Sequence, residues 1–264
     1  MKQITSAQNE QLKHLAKLLS QAKSRREHGQ TVLEGVHLLQ TYLQTGRLPQ
    51  QVYVPESKMA QAEVTALLAQ LPEASVTLVS NAALSKITSL TEAEEMMALI
   101  DIPQPDALPQ HGDCVVLECV QDPGNVGTIL RSAAAAGVGH MILSNDSADV
   151  WSPKVLRAGM GAHFLLNVHS RIDLGQWRVR YTDKIWATAL TDNNNHSLYA
   201  LDLRTPAAWV FGNEGSGVSK ALLAEVSGTV KIPMQGATES LNVAMAATVC
   251  LFEQMRQRLE QQAV

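Results

Sequence analysis

Two stretches in the last quarter of the chain carry residues able to do chemistry: 211–219 (F-G-N-E-G-S-G-V-S) and 232–247 (I-P-M-Q-G-A-T-E-S-L-N-V-A-M-A-A). Each joins an apolar run to a polar, glycine-containing turn and then to a helical pattern, which is how an α/β protein builds a ligand site. Gly212, Gly215 and Gly217 permit tight turning or positive φ, so main-chain amides can approach a ligand closely and the first loop reads as a backbone cradle. The elements that must position these residues follow from the pattern. Residues 207–211 read as a short buried strand, 229–232 as another, and 233–239 as a loop. A long helix is expected from Ser240, apolar nearly all round over 241–250 and amphipathic afterwards, with Leu251, Phe252 and Met255 at helical spacing and Glu253, Arg256 and Gln257 between them.

At 264 residues the chain is expected to form two domains or one large one. A formal charge of −4 argues against wholesale electrostatic binding to nucleic acid, while a local basic face would suffice for it. Cys114, Cys119 and Cys250 lack metal-ligand spacing and read as reduced, mostly buried thiols of a cytosolic protein. The histidines show no paired metal spacing, so no metal is expected. The amino terminus is polar, and no apolar run approaches the length of a bilayer span; the expectation is a soluble cytoplasmic protein without membrane contact.

Residues 103–113 carry three prolines and a glycine and read as a linker between domains 1–102 and 114–264. Before it, 9–26 is expected as one helix, with Leu12, Leu15, Leu18 and Leu19 on its apolar side. Apolar runs at 31–33, 52–54, 76–79 and 97–100 alternate with helical patterns, which predicts a smaller α/β/α domain. After it come a strand at 114–120, a helix at 126–136 ended by Gly137, a strand at 140–143, a helix at 153–159, and strands at 163–168 and 185–189. That alternation predicts a mostly parallel sheet with helices on both faces and ligands beyond the carboxyl ends of its strands.

A dinucleotide-binding fold also places glycines between strand and helix, but its G-x-G-x-x-G should follow the first strand of a βαβ unit. Here that turn is D-P-G-N-V-G, and the clustered glycines lie near the end of the domain in another spacing. The segments 122–138 (D-P-G-N-V-G-T-I-L-R-S-A-A-A-A-G-V), 211–219 and 232–247 instead resemble the three successive motifs of the SpoU, or TrmH, branch of the SPOUT RNA methyltransferases, in family order. The opening I-T-S-A-Q-N-E-Q-L-K-H-L-A-K-L, with R-R-E-H-G and V-L-E-G-V, resembles the substrate-binding domain of members that modify ribosomal RNA. Val36-His37 occupies a place where relatives commonly carry a basic residue after the V-L-E-G turn.

The resemblance implies a 2′-O-ribose methyltransferase using S-adenosylmethionine, acting on structured RNA as a homodimer, with a deep trefoil knot in its catalytic domain. Bacterial large-subunit ribosomal RNA is the implied substrate. Transfer RNA is the alternative within the class, disfavoured because such relatives commonly lack this amino-terminal domain. A catalytically inactive RNA-binding or ribosome-associated protein is the alternative outside it, disfavoured by intact Arg131, Glu214, Ser240 and Asn242. The resemblance also implies that backbone groups at Gly212, Ile232 and Leu241 hold the cofactor, flanked by Phe211, Asn213 and Met234.

Methyl transfer to a ribose hydroxyl demands positioning and stabilisation of developing oxyanion charge. Arg131, on a helix otherwise made of small and apolar residues, suits that role better than that of base, because a guanidinium is too weakly acidic. Asn125, Glu214, Ser240 and Asn242 are expected to complete the hydrogen-bonding shell. Each also has a plainer reading: Asn125 and Ser240 as helix caps, Glu214 as a solvated turn residue, Arg131 as half of a surface ion pair. Lys23, Arg25, Arg26 and His28 form an amino-terminal basic cluster expected to contact RNA. Lys154 and Arg157, one helical turn apart, are candidate phosphate contacts or a solvated helix face.

Overall fold

The computed structural model describes residues 2–88, 95–189, 195–238 and 240–262. From the amino terminus the chain forms β1 (Lys2–Ile4), α1 (Glu10–Ser20), α2 (Ala22–His28), β2 (Gln30–Glu34), α3 (Val36–Gln44), β3 (Gln51–Pro55), α4 (Ala62–Leu68), β4 (Val76–Val79), α5 (Asn81–Leu84) and β5 (Met97–Asp101). It continues with β6 (Cys114–Leu117), α6 (Pro123–Ala135), β7 (His140–Ser144), α7 (Pro153–Gly159), β8 (Asn167–Ile172), α8 (Leu174–Arg180), β9 (Lys184–Thr188), β10 (Asn195–Ser197), β11 (Ala207–Phe211), α9 (Lys220–Leu223), β12 (Gly228–Lys231) and α10 (Val243–Gln262). Two compact units result, Met1–Pro103 with Trp151–Phe164, and Gln104–Val150 with Leu165–Val264.

The first unit is built on a mixed sheet in the order β1-β4-β3-β5-β2, with β5 antiparallel to both its neighbours. Leu12, Leu15 and Leu18 of α1 pack into the cluster that holds Val32, Tyr53 and Met97 of the sheet. The helix expected over 9–26 is in fact two, because Gln21 leaves the helical region at φ −126° and ψ 113°. Arg25 explains the break. Its guanidinium folds back to donate to the carbonyl oxygens of Leu18 and Leu19, satisfying acceptors that the end of α1 leaves open. At 4% exposure Arg25 is a helix cap, which takes it out of the RNA-contacting set expected from the basic cluster.

Residues 151–164, expected in the second domain, pack with the first. The Thr31 hydroxyl donates to the Trp151 carbonyl at 2.9 Å, and Arg157 Nη1 lies 2.5 Å from Glu34 Oε2. The Glu34 side chain is 1% exposed and also accepts from the Thr88 hydroxyl. A carboxylate so deeply buried needs such partners, since an unpaired buried charge costs several kcal/mol. Arg157 is thus the counterion of Glu34 rather than a free phosphate contact. The strand expected over 163–168 begins later, because a 3₁₀ turn at Ala162–Leu165 precedes β8.

The second unit carries a seven-stranded sheet in the order β10-β12-β9-β11-β6-β7-β8, in which every pair is parallel. Every residue of β6 and β11 is buried, as strands covered on both faces require. Cys114, Val116, Ala208 and Val210 share one core cluster with Leu174 and Trp177 of α8. The alternate side chain Trp209 donates from its indole nitrogen to Gln254 of α10 at 2.9 Å. Asp113 ties the ends together by accepting from the Ala207 amide, Gln254 and Arg258. Cys114 and Cys250 are buried, Cys119 is half-buried, and all three are free thiols. No helix among the described residues is long and apolar enough to cross a membrane.

His169 of the edge strand β8 is buried, and its Nε2 lies 3.3 Å from His140 Nδ1 on β7. Burial, and then the neighbouring His140, pull its pKa down to about 4, against a weaker opposing pull from Asp106. Between that value and the ordinary one near 6.5, the unfolded chain binds a proton that the folded chain refuses. Stability is therefore complete above about pH 6.5 and falls as pH drops toward 4, by at most about 3 kcal/mol from this group. Denaturant titrations between pH 7 and 4.5 are expected to show this slope, and His169→Gln should reduce it to what His140 contributes, whose pKa burial also lowers.

Candidate active site

Because the sheet is parallel, the carboxyl ends of all its strands share one edge, and the loops after β11 and β12 meet there. The first loop is closed on itself. Asn213 and Gly217 exchange backbone hydrogen bonds of 3.1 and 2.8 Å, and Gly217 takes φ +70°. A Cβ at Gly212 would lie 2.2 Å from the Gly217 carbonyl carbon and 2.3 Å from the Val218 nitrogen, so this neck admits glycine alone. The Asn213 side chain works inside the loop: Oδ1 accepts from the amides of Gly215 and Ser216, while Nδ2 donates to the Cys119 carbonyl at 2.9 Å.

The two loops enclose a cavity of about 650 Å³, within the range of small-molecule sites. Gly212, Asn213, Ile232, Met234 and Leu241 line it, as do Glu214, Ser240 and Asn242. Glu239, at the end of the expected second loop, lies outside the described residues. Phe211 does not line the cavity. It is fully buried beneath it and stacks with Trp209 at 6.3 Å, so its part is to support the loop rather than to form a wall.

Three side chains from the three motifs form one hydrogen-bonded relay at the rim. Asn242 Nδ2 donates to Asn125 Oδ1 at 3.0 Å, and Asn125 Nδ2 donates to Glu214 Oε1 at 2.9 Å. Burial alone would raise the Glu214 pKa, but the bond from Asn125 and the amides of Glu214, Asp122 and Gln121 together outweigh it. The net shift is downward, so the carboxylate stays ionised through the neutral range and keeps accepting.

The caps are not the residues of the plainer alternative, Asn125 and Ser240. Helix α6 starts at Pro123 rather than 126, with Asp122 as its cap accepting from the Asn125 amide at 2.8 Å. Asn125 therefore lies inside the first turn with its side chain available to the relay. Helix α10 starts at Val243 rather than 240, and Asn242 is its cap, accepting from Ala244 and Met245 amides. Ser240 precedes the cap and faces the cavity. The stretch 241–245 is less buried than the apolar run suggests, with Leu241 and Met245 exposed. The Asp-Pro pair is a start signal legible in the sequence, since proline at the first helical position follows a capping aspartate well.

Arg131 is exposed on α6 and makes no hydrogen bond or ion pair among the described residues. It lies six residues beyond Asn125, about 9 Å along the axis and roughly 120° around it. The structure therefore leaves its guanidinium free without placing it on the cavity wall. In the first unit, Lys23 and Arg26 are exposed on one side of α2, with Lys23 3.7 Å from Glu27, and Lys154 is exposed on α7.

A parallel α/β sheet whose last two strand-to-helix loops close over one cavity, rimmed by a carboxylate and two asparagines, is the framework of a small-molecule-binding enzyme. Residues 113–252 match the SpoU rRNA Methylase family, and residues 9–98 match the MRM3-like substrate binding domain. The chain belongs to the SpoU rRNA methylase family. It is 36% identical to an uncharacterised tRNA/rRNA methyltransferase of Synechocystis sp., over 97% of this chain and 94% of that protein. It is 29% identical to the 23S rRNA (guanosine(2553)-2′-O)-methyltransferase RlmP of Bacillus subtilis, over 96% of this chain and 98% of the relative. Among solved structures, the SpoU methyltransferase AviRb of Streptomyces viridochromogenes in complex with AdoMet superposes with a TM-score of 0.83 at 26% identity, covering 96% of this chain and 99% of that one. The family resemblance carried by the three motifs thus holds.

The neck at Gly212 is the tightest point of the site. Gly212→Ala should force the loop open, costing about 2 kcal/mol as overpacking does, with faster amide exchange over 213–218 as the local signature.

Proposed function

We infer that this chain is an S-adenosylmethionine-dependent RNA 2′-O-ribose methyltransferase acting on 23S ribosomal RNA in the cytoplasm as a homodimer. The observation that carries the reading is the Asn242–Asn125–Glu214 relay, which joins all three family motifs at the mouth of one cavity. The substrate-binding domain matched over 9–98 favours ribosomal over transfer RNA. On this reading the first unit binds RNA, with exposed Lys23, Arg26 and Lys154 as its phosphate contacts. We further infer the family's knot in the second unit, in keeping with β11 lying between β9 and β6 although it follows both in the chain.

The cavity fits the cofactor in kind. Its volume suits a nucleoside, the glycine neck brings bare backbone to its wall, and the rim holds an ionised carboxylate. Backbone groups of Gly212, Ile232 and Leu241 would hold it, with Asn213 and Met234 beside them. When bound, the cofactor supplies an activated methyl group on a positive sulfur. The protein's own contribution is to orient the acceptor and to stabilise the charge its oxygen develops. Arg131, with no carboxylate partner among the described residues, holds the ribose phosphate and stabilises the alkoxide by charge-assisted hydrogen bonds. Glu214 fixes the Asn125 amide from one side while Asn242 fixes it from the other, so that Asn125 presents its remaining amide hydrogen in a set direction, and Ser240 adds a hydroxyl on the cavity wall.

Helix α10 supports the dimer. Met245, Phe252 and Leu259 are exposed at 48%, 39% and 55%, seven residues apart, and so form one stripe along the helix. Such a stripe fits a self-complementary interface.

Purified protein with labelled S-adenosylmethionine and unmodified 23S ribosomal RNA should yield 2′-O-methylated nucleosides. Arg131→Ala is expected to lower the transfer rate by about 10²-fold or more, with cofactor affinity within about threefold of wild type. Normal turnover in that variant overturns the role given to Arg131. Sedimentation of the wild type should report a dimer, and Phe252→Glu with Leu259→Glu a monomer; a monomeric wild type removes the dimer from the reading.

A further inference from the structure

Glu118 belongs to none of the residues assigned to the cofactor or the substrate, yet both ends of the first glycine loop are attached to it. It is the first residue after β6 and is half-buried. Its amide donates to the Phe211 carbonyl at 2.9 Å, where the loop begins. Its carboxylate accepts twice where the loop ends, from the Ser219 amide to Oε2 and from the Ser219 hydroxyl to Oε1, both at 2.7 Å. Ser219 Oγ in turn accepts from the Leu222 amide at 3.2 Å as the cap of α9, and Val218 and Leu222 sit in the core cluster beneath. The next residue, Cys119, takes φ +55°, and its carbonyl receives the Asn213 side chain. Residues 118–119 are therefore a two-residue brace around the neck of the loop.

We propose that Glu118 is a positioning residue that holds the 211–219 loop in its ligand-ready shape before the cofactor arrives. This rests on the reading of that loop as the cofactor cradle. A loop that binds through main-chain groups has no side-chain rotamers with which to adapt, so its affinity depends on how completely its backbone is fixed beforehand. The backbone cross-link between Asn213 and Gly217 closes the loop but does not attach it to the sheet. The brace does so through charge-assisted bonds, which are among the stronger hydrogen bonds available. Its effect lies in the free protein, so losing it should weaken binding and leave the chemical step nearly unchanged once the cofactor is saturating.

The test uses the full-length protein with S-adenosylhomocysteine in calorimetry and S-adenosylmethionine with ribosomal RNA in turnover assays. Glu118→Ala is expected to weaken binding of the nucleoside and to raise KM for the methyl donor by about tenfold, with kcat at saturating donor within about threefold of wild type. Glu118→Gln keeps the volume and one acceptor oxygen, is expected to fall between the two, and carries the test alone if the alanine variant does not fold. Amide exchange in the ligand-free variants should quicken over 212–219 only. Wild-type affinity and exchange in both variants, or acceleration spread evenly over the sheet, overturn the proposal. A wild-type protein that binds no S-adenosylhomocysteine overturns instead the cofactor reading beneath it.

Discussion

One ionised carboxylate organises the site. Glu214 accepts from Asn125, which accepts from Asn242, so segments 89 and 117 residues from Asn125 are joined at a single rim. The parallel sheet makes this convergence possible by delivering every strand-to-loop transition to the same edge. The carboxylate makes it durable. Glu214 is exposed, so solvent screens the bond from Asn125 and its contribution is at most about 1 kcal/mol; the carboxylate holds its charge because the donated hydrogen bonds outweigh its partial desolvation. Were Glu214 neutral, one oxygen would turn donor and the orientation of the Asn125 amide would no longer be determined.

Helix capping and site chemistry are divided between neighbouring residues. Asp122 satisfies the first turn of α6, and this frees Asn125, three positions on, to face the relay. Asn242 does both tasks, its oxygen capping α10 and its nitrogen reaching Asn125. The glycine loop follows the same economy. Asn213 spends its oxygen on the loop's own amides and its nitrogen on Cys119, so the loop's shape is set from inside and from the sheet at once.

Much of the fold was legible. Buried strands such as β6 and β11 read as continuous apolar runs because both their faces are covered, and α1 showed its leucine face. What failed to show had physical reasons. β1 buries only Ile4 and has no periodicity to reveal. The break at Gln21 is set by Arg25 reaching back to carbonyls six and seven residues earlier, and a run of basic residues gives no hint of which one will be buried. The place of 151–164 is decided by Glu34, more than a hundred residues upstream, so local pattern assigned it to the wrong unit.

Within the site, the chain's own letters determined the motifs, the glycine turns and the residues gathered at the cavity, because tight turns and backbone cradles require residue types that stand out anywhere. Only the tertiary structure decided which of those residues serve the fold and which face the cavity. Arg25 and Arg157 became internal partners, Phe211 a buried support, and Glu118 a brace on a serine 101 residues away. The reason is that a polar side chain's role is set by whichever partner lies within about 3 Å of it, and chain-distant partners are chosen by packing.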